Sequence, residues 1–153
     1  MKKRLLGILG AAIAVTGLLI GLAPSATAAA RNGVCESGEF CLYYNDTSTG
    51  SLVDMINSQP DYGTGAGCIA FENGTQAGKC VKNAAGSVWN RTSSPVFVFY
   101  SSDYGSAYDQ IPAGAKVKLN ANTYKDNASH IIGNASLRFP LNAPTDPPVD
   151  APA

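Results

Sequence analysis

The stretch FCLYYND at residues 40–46 recurs 56 positions later as VFVFYSS at residues 96–102. A second pair of similar stretches comes later in each half, GSVWN at residues 86–90 and ASLRF at residues 135–139. Strand-like runs that repeat in the same order indicate a duplicated β-motif. We therefore expect one domain with internal pseudo-symmetry.

Short runs rich in β-branched or aromatic residues continue this pattern, and Gly, Asn, Asp and Ser separate them as turn formers. No window longer than about ten residues after the N-terminal leader keeps a helical period, and residues 52–57 could form one helical turn at most. The fold class that follows is all-β, a sandwich of two Greek-key motifs. The predicted strands cover residues 40–44, 68–71, 87–90, 95–100, 116–119 and 136–139.

The N-terminus has the features of a secretory signal peptide. Three basic residues at positions 2–4 precede an uncharged apolar run over residues 5–22, and a small-residue cleavage site follows at residues 26–28. Cleavage after Ala28 or Ala30 fits equally well, and an uncleaved membrane anchor is the weaker alternative because the cleavage site follows the apolar run at once. We therefore expect a secreted, extracellular protein.

Three segments follow from this division of the chain. Residues 1–30 are the expected signal peptide, and residues 31–139 are the expected folded domain. Residues 140–153 are rich in Pro, Ala and Asp, and such a composition cannot bury enough apolar surface to offset its ordering entropy. We expect this last segment to be a disordered tail.

Removal of the leader changes the charge of the chain. The full sequence has 11 basic and 11 acidic residues, and the leader takes three basic residues with it, so 8 basic residues face 11 acidic ones and the net charge is −3. A weakly acidic protein of this kind is not expected to bind nucleic acid, or a membrane once the leader is cleaved. We expect it to be a monomer.

The chain has four cysteines, Cys35, Cys41, Cys68 and Cys80, and an even number in an exported protein indicates two disulfides. Sequence alone allows three pairings. We favour Cys35 with Cys41 and Cys68 with Cys80, because both bonds close short local loops. A zinc site is the competing interpretation, but the spacings contain no Cys-x-x-Cys pair.

Residues that carry catalysis or bind metals are scarce in this sequence. His130 is the only histidine, and there is no His-Glu-x-x-His, no Gly-x-Ser-x-Gly and no Gly-rich phosphate loop. A paired-carboxylate hydrolase is the remaining catalytic alternative, but acidic residues in turns are usually solvated. We therefore expect no enzymatic activity, no cofactor and no metal, with His130 in a turn or on the surface.

Three stretches carry a resemblance to a known family. NGVCESGEFCLYYN at residues 32–45, KNAAGSVWN at residues 82–90 and the turn Asp103-Tyr104-Gly105 resemble the Streptomyces metalloproteinase inhibitor family. This family comprises small secreted inhibitors with a βγ-crystallin-like fold. The resemblance implies the same fold here.

The resemblance also implies tight, substrate-like inhibition of an extracellular thermolysin-type zinc metalloprotease. In the family the inhibitory bond follows a disulfide-bonded cysteine and precedes an apolar residue, a pattern that Cys80–Val81 fits, with Lys79 and Lys82 as flanking contacts. A rigid loop avoids most of the ordering cost of binding. The alternative is that Cys80–Val81 begins a buried strand with a structural disulfide.

A second function remains open on the residues alone. Aromatic side chains on the surface of a secreted sandwich could stack against sugars, which would make the protein a carbohydrate-binding or cell-wall-binding module. A secreted antimicrobial module with a crystallin fold is a further alternative. Most of these rings, Trp89 among them, are expected in the core. The aromatic residues considered for such a surface are Tyr43, Tyr44, Tyr62, Trp89, Tyr100, Tyr104, Tyr108 and Tyr124.

Overall fold

The computed structural model describes residues 29–133, and its regular structure is almost entirely antiparallel β-sheet. Three short 3-10 turns, at Gly65–Gly67, Gly74–Gln76 and Ser102–Tyr104, lie in the connections. Within the described part no helix is long and apolar enough to cross a membrane. The strands are β1 (Phe40–Tyr43), β2 (Leu52–Met55), β3 (Ser87–Asn90), β4 (Val96–Phe99), β5 (Tyr108–Ile111), β6 (Lys116–Lys118) and β7 (Ser129–Ile132).

The strands form two sheets, each built around the first strand of one sequence repeat. The first sheet has the order β2-β1-β3-β6, and the second has the order β5-β4-β7. All neighbouring strands are antiparallel. Strands β1 and β4 therefore occupy matching central positions, as the repeat predicts.

One strand crosses from its own half of the chain to the other half's sheet. Strand β6 comes from the second half but pairs with β3 in the first sheet. In return, Gln59 of the first half forms an isolated antiparallel bridge with His130 on β7 of the second sheet. Each half thus completes the sheet of the other.

The hydrophobic core lies between the two sheets because side chains alternate across each strand. Phe40 and Leu42 of β1 point inward and meet Val96 and Val98 of β4 in one buried cluster. Each such side chain stabilises the fold by about 1.5–3 kcal/mol relative to an exposed position. The all-β sandwich expected from sequence is confirmed.

The predicted strands agree with the observed ones in four of the six segments. Strands β1, β3, β4 and β6 lie within predicted runs. Residues 68–71 instead contribute only an isolated bridge between Ala70 and Cys80. Residues 52–55, which allowed a helical turn, form strand β2, and strands β5 and β7 were not predicted.

The remaining expectations fall on parts of the chain outside the described residues. These are the predicted strand at residues 136–139, the tail at residues 140–153 and all but the last two residues of the predicted signal peptide.

Candidate functional site

The segment between Cys68 and Cys80 is held by one covalent bond and several backbone hydrogen bonds. The disulfide joins its two ends, with 5.6 Å between the Cα atoms. Phe71 N–H donates to the Lys79 carbonyl at 3.0 Å, and Gly78 N–H donates to the Phe71 carbonyl at 2.9 Å. This segment is therefore a compact, cross-linked hairpin.

Val81 lies directly after this hairpin, and its side chain is in the core. It is 0% exposed and packs in the cluster between the two sheets. Its N–H donates to the Ile69 carbonyl at 2.8 Å. A residue that enters an enzyme's pocket must be accessible, so a reactive bond at Cys80–Val81, which stays a prediction, requires the hairpin to open. Val81 is buried as the alternative expects, but Cys80 forms only an isolated bridge with Ala70 and does not begin a strand.

Lys79 is exposed and lies against Tyr44. Its Nζ is 4.5 Å from the centre of the Tyr44 ring and donates to the Tyr44 hydroxyl at 3.3 Å. This hydrogen bond, together with the charges of Lys79 and Lys125, lowers the pKa of Tyr44. Lys79 is thus positioned at the surface, although an aromatic contact already engages its ammonium group.

Lys82 joins two neighbouring loops. Its Nζ donates to Asp61 Oδ1 and to Ser102 Oγ, each at 2.7 Å, and Ser102 Oγ donates to the same Asp61 oxygen at 2.9 Å. The hydrogen bond from Lys82, with those from Gly63 N–H and Ser102, lowers the pKa of Asp61 to about 2. Lys82 therefore fixes the loop geometry, and its expected role as a flanking contact stays a prediction.

The exposed residues around the disulfide and the half-buried Cys80 form a small surface, which we call the disulfide surface and define as residues 64–67 and 77–80. The turn at Gly65–Gly67 reaches the disulfide, since the Gly65 carbonyl oxygen is 3.8 Å from Cys80 Sγ. Asp61, whose side chain accepts from Gly63 N–H at 2.9 Å, holds the start of this turn. Both edges of the surface are thus anchored to the body of the protein.

The second disulfide pairs Cys35 with Cys41. Cys41 is buried on the outer side of β1, and the Cys35 carbonyl accepts a hydrogen bond from Arg91 Nη1 at 2.6 Å. Both disulfides have the pairing that the short-loop argument favoured.

Two buried carboxylates beside this disulfide were not anticipated. Asp54 accepts hydrogen bonds from the backbone N–H groups of Arg31, Asn32 and Gly33 and so anchors the N-terminal segment. Glu39 is fully buried, and desolvation raises its pKa. The signal in the sequence was an acidic residue inside an apolar run, as in Leu-Val-Asp-Met at residues 52–55.

His130 is also buried, so the expectation of a turn or surface position is wrong. The ring is 0% exposed on β7. Its Nδ1 lies 3.1 Å from the Tyr62 hydroxyl and its Nε2 lies 3.1 Å from the Asn57 carbonyl oxygen. Because a carbonyl only accepts, Nε2 carries the proton and Nδ1 accepts from Tyr62.

The aromatic residues do not share one face. Tyr43 and Tyr62 are buried, while Tyr100 is 49% exposed. Trp89 was expected in the core, but it lies on the outer side of the first sheet beside Cys41 and Tyr43. In residues 29–133 no group of three or more His, Cys, Asp or Glu side chains is arranged to hold a metal ion.

Comparison with known proteins gives one family and two similar folds. A family model described as peptidase inhibitor family I36 matches residues 28–111. Among curated proteins none matches significantly. One similar solved structure comes from work on the evolution of the eye lens βγ-crystallin domain fold: 13% identity, TM-score 0.48, covering 65% of this chain and 90% of that one. Another is a βγ-crystallin from an archaeon, with 14% sequence identity and a TM-score of 0.43. This match covers 63% of this chain and 99% of that one.

The family model has the function class predicted from the sequence, a peptidase inhibitor. The matched residues amount to more than half of the sequence and include β1 to β5, both disulfides and the disulfide surface. The chain therefore belongs to peptidase inhibitor family I36, the Streptomyces metalloproteinase inhibitor family.

Proposed function

We propose that this protein is a secreted inhibitor of a thermolysin-type zinc metalloprotease and that the enzyme contacts the disulfide surface. Membership of the family makes the protein a peptidase inhibitor and not an enzyme. The metalloprotease target and the place of contact are the proposal. The apolar leader and two disulfides support secretion, since disulfides persist in oxidising compartments.

The rigidity of the disulfide surface is the observation that carries the proposal. The Cys68–Cys80 bond closes the hairpin, and the Asp61–Lys82–Ser102 hydrogen bonds fix the neighbouring loops. A surface that is already ordered avoids the cost of immobilising a loop, about 0.5–1.5 kcal/mol for each side chain. An ordered contact surface of this kind suits an inhibitor that must dissociate slowly from its enzyme.

The enzyme's contacts in this proposal are side chains other than Val81. Ala66 and Ala77 are exposed apolar residues on the disulfide surface, and Lys79 lies at its rim. Thermolysin-type enzymes favour an apolar side chain just after the cleaved bond. Contact at Ala66 or Ala77 leaves the Cys80–Val81 bond intact unless the complex opens the hairpin.

A titration tests both parts of the proposal. Purified oxidised residues 31–153 are added to a thermolysin-type protease and, in parallel, to a subtilisin-type serine protease, and the inhibitor is recovered for mass analysis. We expect stoichiometric loss of the zinc enzyme's activity only. Inhibition of the serine protease alone, or of neither enzyme by a folded sample, would contradict the proposed target.

Two alanine variants locate the contact. Ala66→Asp places a charge on the disulfide surface, where an apolar pocket would have to bury it, so inhibition should weaken at least about tenfold. The matched control is Ala113→Asp, which makes the same change at an exposed position in the turn between β5 and β6. Equal inhibition by both variants would place the contact elsewhere.

The position of any slow cleavage reports on the reactive bond. A nick between Cys80 and Val81 would show that the hairpin opens in the complex and that this bond is attacked. Val81→Ala is expected to lower the free energy of unfolding by about 2 kcal/mol, because the side chain packs in the core. Inhibition by this variant must therefore be measured under conditions where it is folded, as judged by circular dichroism.

A further inference from the structure

Most of the basic residues in the described part of the chain lie against aromatic rings. Residues 29–133 contain seven Lys and Arg residues, and five of them are within cation–π distance of a tyrosine or the tryptophan. Each contact is individually modest, about 0.5–1 kcal/mol at an exposed site. We call these residues the cation–aromatic band: Arg91, Trp89, Lys116, Lys118, Tyr124, Lys125, Tyr44 and Lys79.

The first half of the band crosses the outer side of the first sheet. Arg91 and Lys116 lie 4.6 Å and 4.8 Å from the centre of the Trp89 ring. Lys116 and Lys118 are two residues apart on β6, so they point to the same side of the sheet. Lys118 in turn lies 4.5 Å from the centre of the Tyr124 ring.

The second half continues from Tyr124 to the edge of the disulfide surface. Lys125 lies 5.9 Å from the Tyr124 ring centre and 3.6 Å from that of Tyr44. Lys79 approaches the same Tyr44 ring at 4.5 Å. The band is therefore one continuous line of alternating cations and rings, from Arg91 to Lys79.

Most of the charge in this band is not neutralised by a carboxylate. Of the three ion pairs within residues 29–133, only Lys118–Asp46, at 2.8 Å, involves the band. Lys125 donates instead to the backbone carbonyls of Tyr44 and Ala84. Four cations thus lie in line without an ion-pair partner, in a described region that has nine acidic and seven basic residues.

We propose that the cation–aromatic band binds an acidic polysaccharide, a linear polymer whose sugar units carry carboxylates. The rings hold the cations in place without neutralising them, so little conformational entropy is lost when an anion binds. Cations repeated along a line match a polymer with charge on successive units. The edges of the half-buried rings supply apolar contact for the sugar faces.

The same observations favour a polysaccharide over a single-stranded nucleic acid. Bases bind such proteins by stacking on open aromatic faces. Here the side chains of Arg91, Lys116, Lys118 and Lys125 lie over the ring faces. Lys79, Lys116 and Lys118 are exposed, so anionic groups can approach their ammonium groups, whereas a base has less open ring to stack on.

A protective role for the edge strand is the competing explanation. Strand β6 is at the edge of the first sheet, and lysines on edge strands discourage pairing with other chains. That role accounts for Lys116 and Lys118 but predicts no ligand. It also gives no reason for the contacts of Arg91 with Trp89 or of Lys79 with Tyr44.

The test uses the oxidised protein without its leader and measures binding by calorimetry to alginate, a carboxylated polysaccharide, at an ionic strength of about 0.05 M, where screening is weak. Dextran, which is neutral, is the ligand control. We expect binding to alginate alone and its loss at about 0.5 M salt, where the Debye length falls to a few ångströms. Equal binding to dextran, or tighter binding to single-stranded DNA, would overturn the assignment.

Charge variants separate the band from general electrostatics. The double variant Lys79→Gln/Lys116→Gln removes two exposed cations and should weaken alginate binding about tenfold. The matched control Arg31→Gln removes a cation outside the band, one that pairs with Glu72. The single variants Lys79→Gln and Lys116→Gln are measured as well. If Arg31→Gln weakens binding as much as either of them, the band is not the site.

The single variant Lys116→Gln, together with Ala66→Asp, keeps this proposal separate from protease inhibition. Lys116 lies on β6, outside the disulfide surface, so Lys116→Gln should weaken alginate binding and leave inhibition unchanged. Ala66→Asp should weaken protease inhibition and leave alginate binding unchanged. A protein that inhibits the protease but does not bind alginate refutes the polysaccharide proposal alone.

Discussion

Acidification should destabilise this protein through His130. The ring is fully buried between Phe40 and Tyr62, with ring centres 4.9 Å and 5.7 Å away. Burial lowers its pKa from 6.5 to about 3, and the hydrogen bond to the Asn57 carbonyl offsets only part of this shift. The folded protein therefore holds the neutral imidazole at pH values where the unfolded chain is protonated.

The sign and size of the effect follow from this difference in pKa. The neutral ring contributes its full stability above pH 6.5, and that contribution is lost as the pH falls from 6.5 toward 3. Each pH unit in this range costs about 1.4 kcal/mol, so at pH 4.5 the loss is about 2.7 kcal/mol. A loss of this size is a large part of the 5–15 kcal/mol that stabilises a typical domain.

The assay is urea unfolding between pH 7 and pH 4.5 with the disulfides intact, on the natural protein and on His130→Gln. Glutamine does not titrate and can still both donate and accept hydrogen bonds. Carboxylates that titrate equally in both proteins cancel, so the difference in unfolding free energy should change by about 2.7 kcal/mol across this range. Parallel pH profiles for the two proteins would refute the reasoning. The ring also gives a direct signal, because His130 is the only histidine: its NMR resonances should stay those of a neutral imidazole down to pH 4.5.

Gly74→Ala should lower the free energy of unfolding by about 2 kcal/mol or more, because Gly74 has φ +68° and an added Cβ would lie 3.0 Å from the Ser51 backbone nitrogen. Gly67→Ala is the matched control, because no atom lies within 4 Å of an added Cβ and the φ of Gly67 is not left-handed. Its free energy of unfolding, measured by denaturant, should agree with that of the natural protein to within about 0.5 kcal/mol. Replacing both Cys68 and Cys80 with alanine should cost about 2–3 kcal/mol, as expected for a short loop. It should also weaken protease inhibition, and full inhibition by the doubly substituted protein would show that a rigid hairpin is not required.

The sequence repeat was visible because the central strands are apolar on both faces. In β1, Phe40 and Leu42 face the core, while Cys41 and Tyr43 are buried on the other side. Edge strands lack this property, and β5 has Asp109 and Gln110 in its middle. Acidic and amide side chains in a short run resemble a turn, so β2 and β5 were not recognised. The exchange of β6 between halves depends on long-range packing, which local patterns do not record.

The candidate site was only partly predictable for a related reason. The disulfide pairing followed from loop length, and the family followed from the motifs at residues 32–45, 82–90 and 103–105. The direction of the Val81 side chain did not follow, because one isolated apolar residue after a cysteine suits either a core or a binding pocket. His130 was misplaced because polar residues are usually at the surface. Its burial depends on the two partners, Tyr62 and Asn57, that lie about 70 residues away in the sequence.

The strand exchange between the two halves has a consequence for survival among proteases. Because β6 completes the first sheet and Gln59 reaches the second, neither half can detach without breaking the pairing of the other. Partial opening, the event that exposes a chain to digestion, then costs nearly as much as complete unfolding. If the two halves were independent units joined end to end, a protease could digest one half while the other stayed folded. Because the halves are interlocked, we expect them to be digested only together.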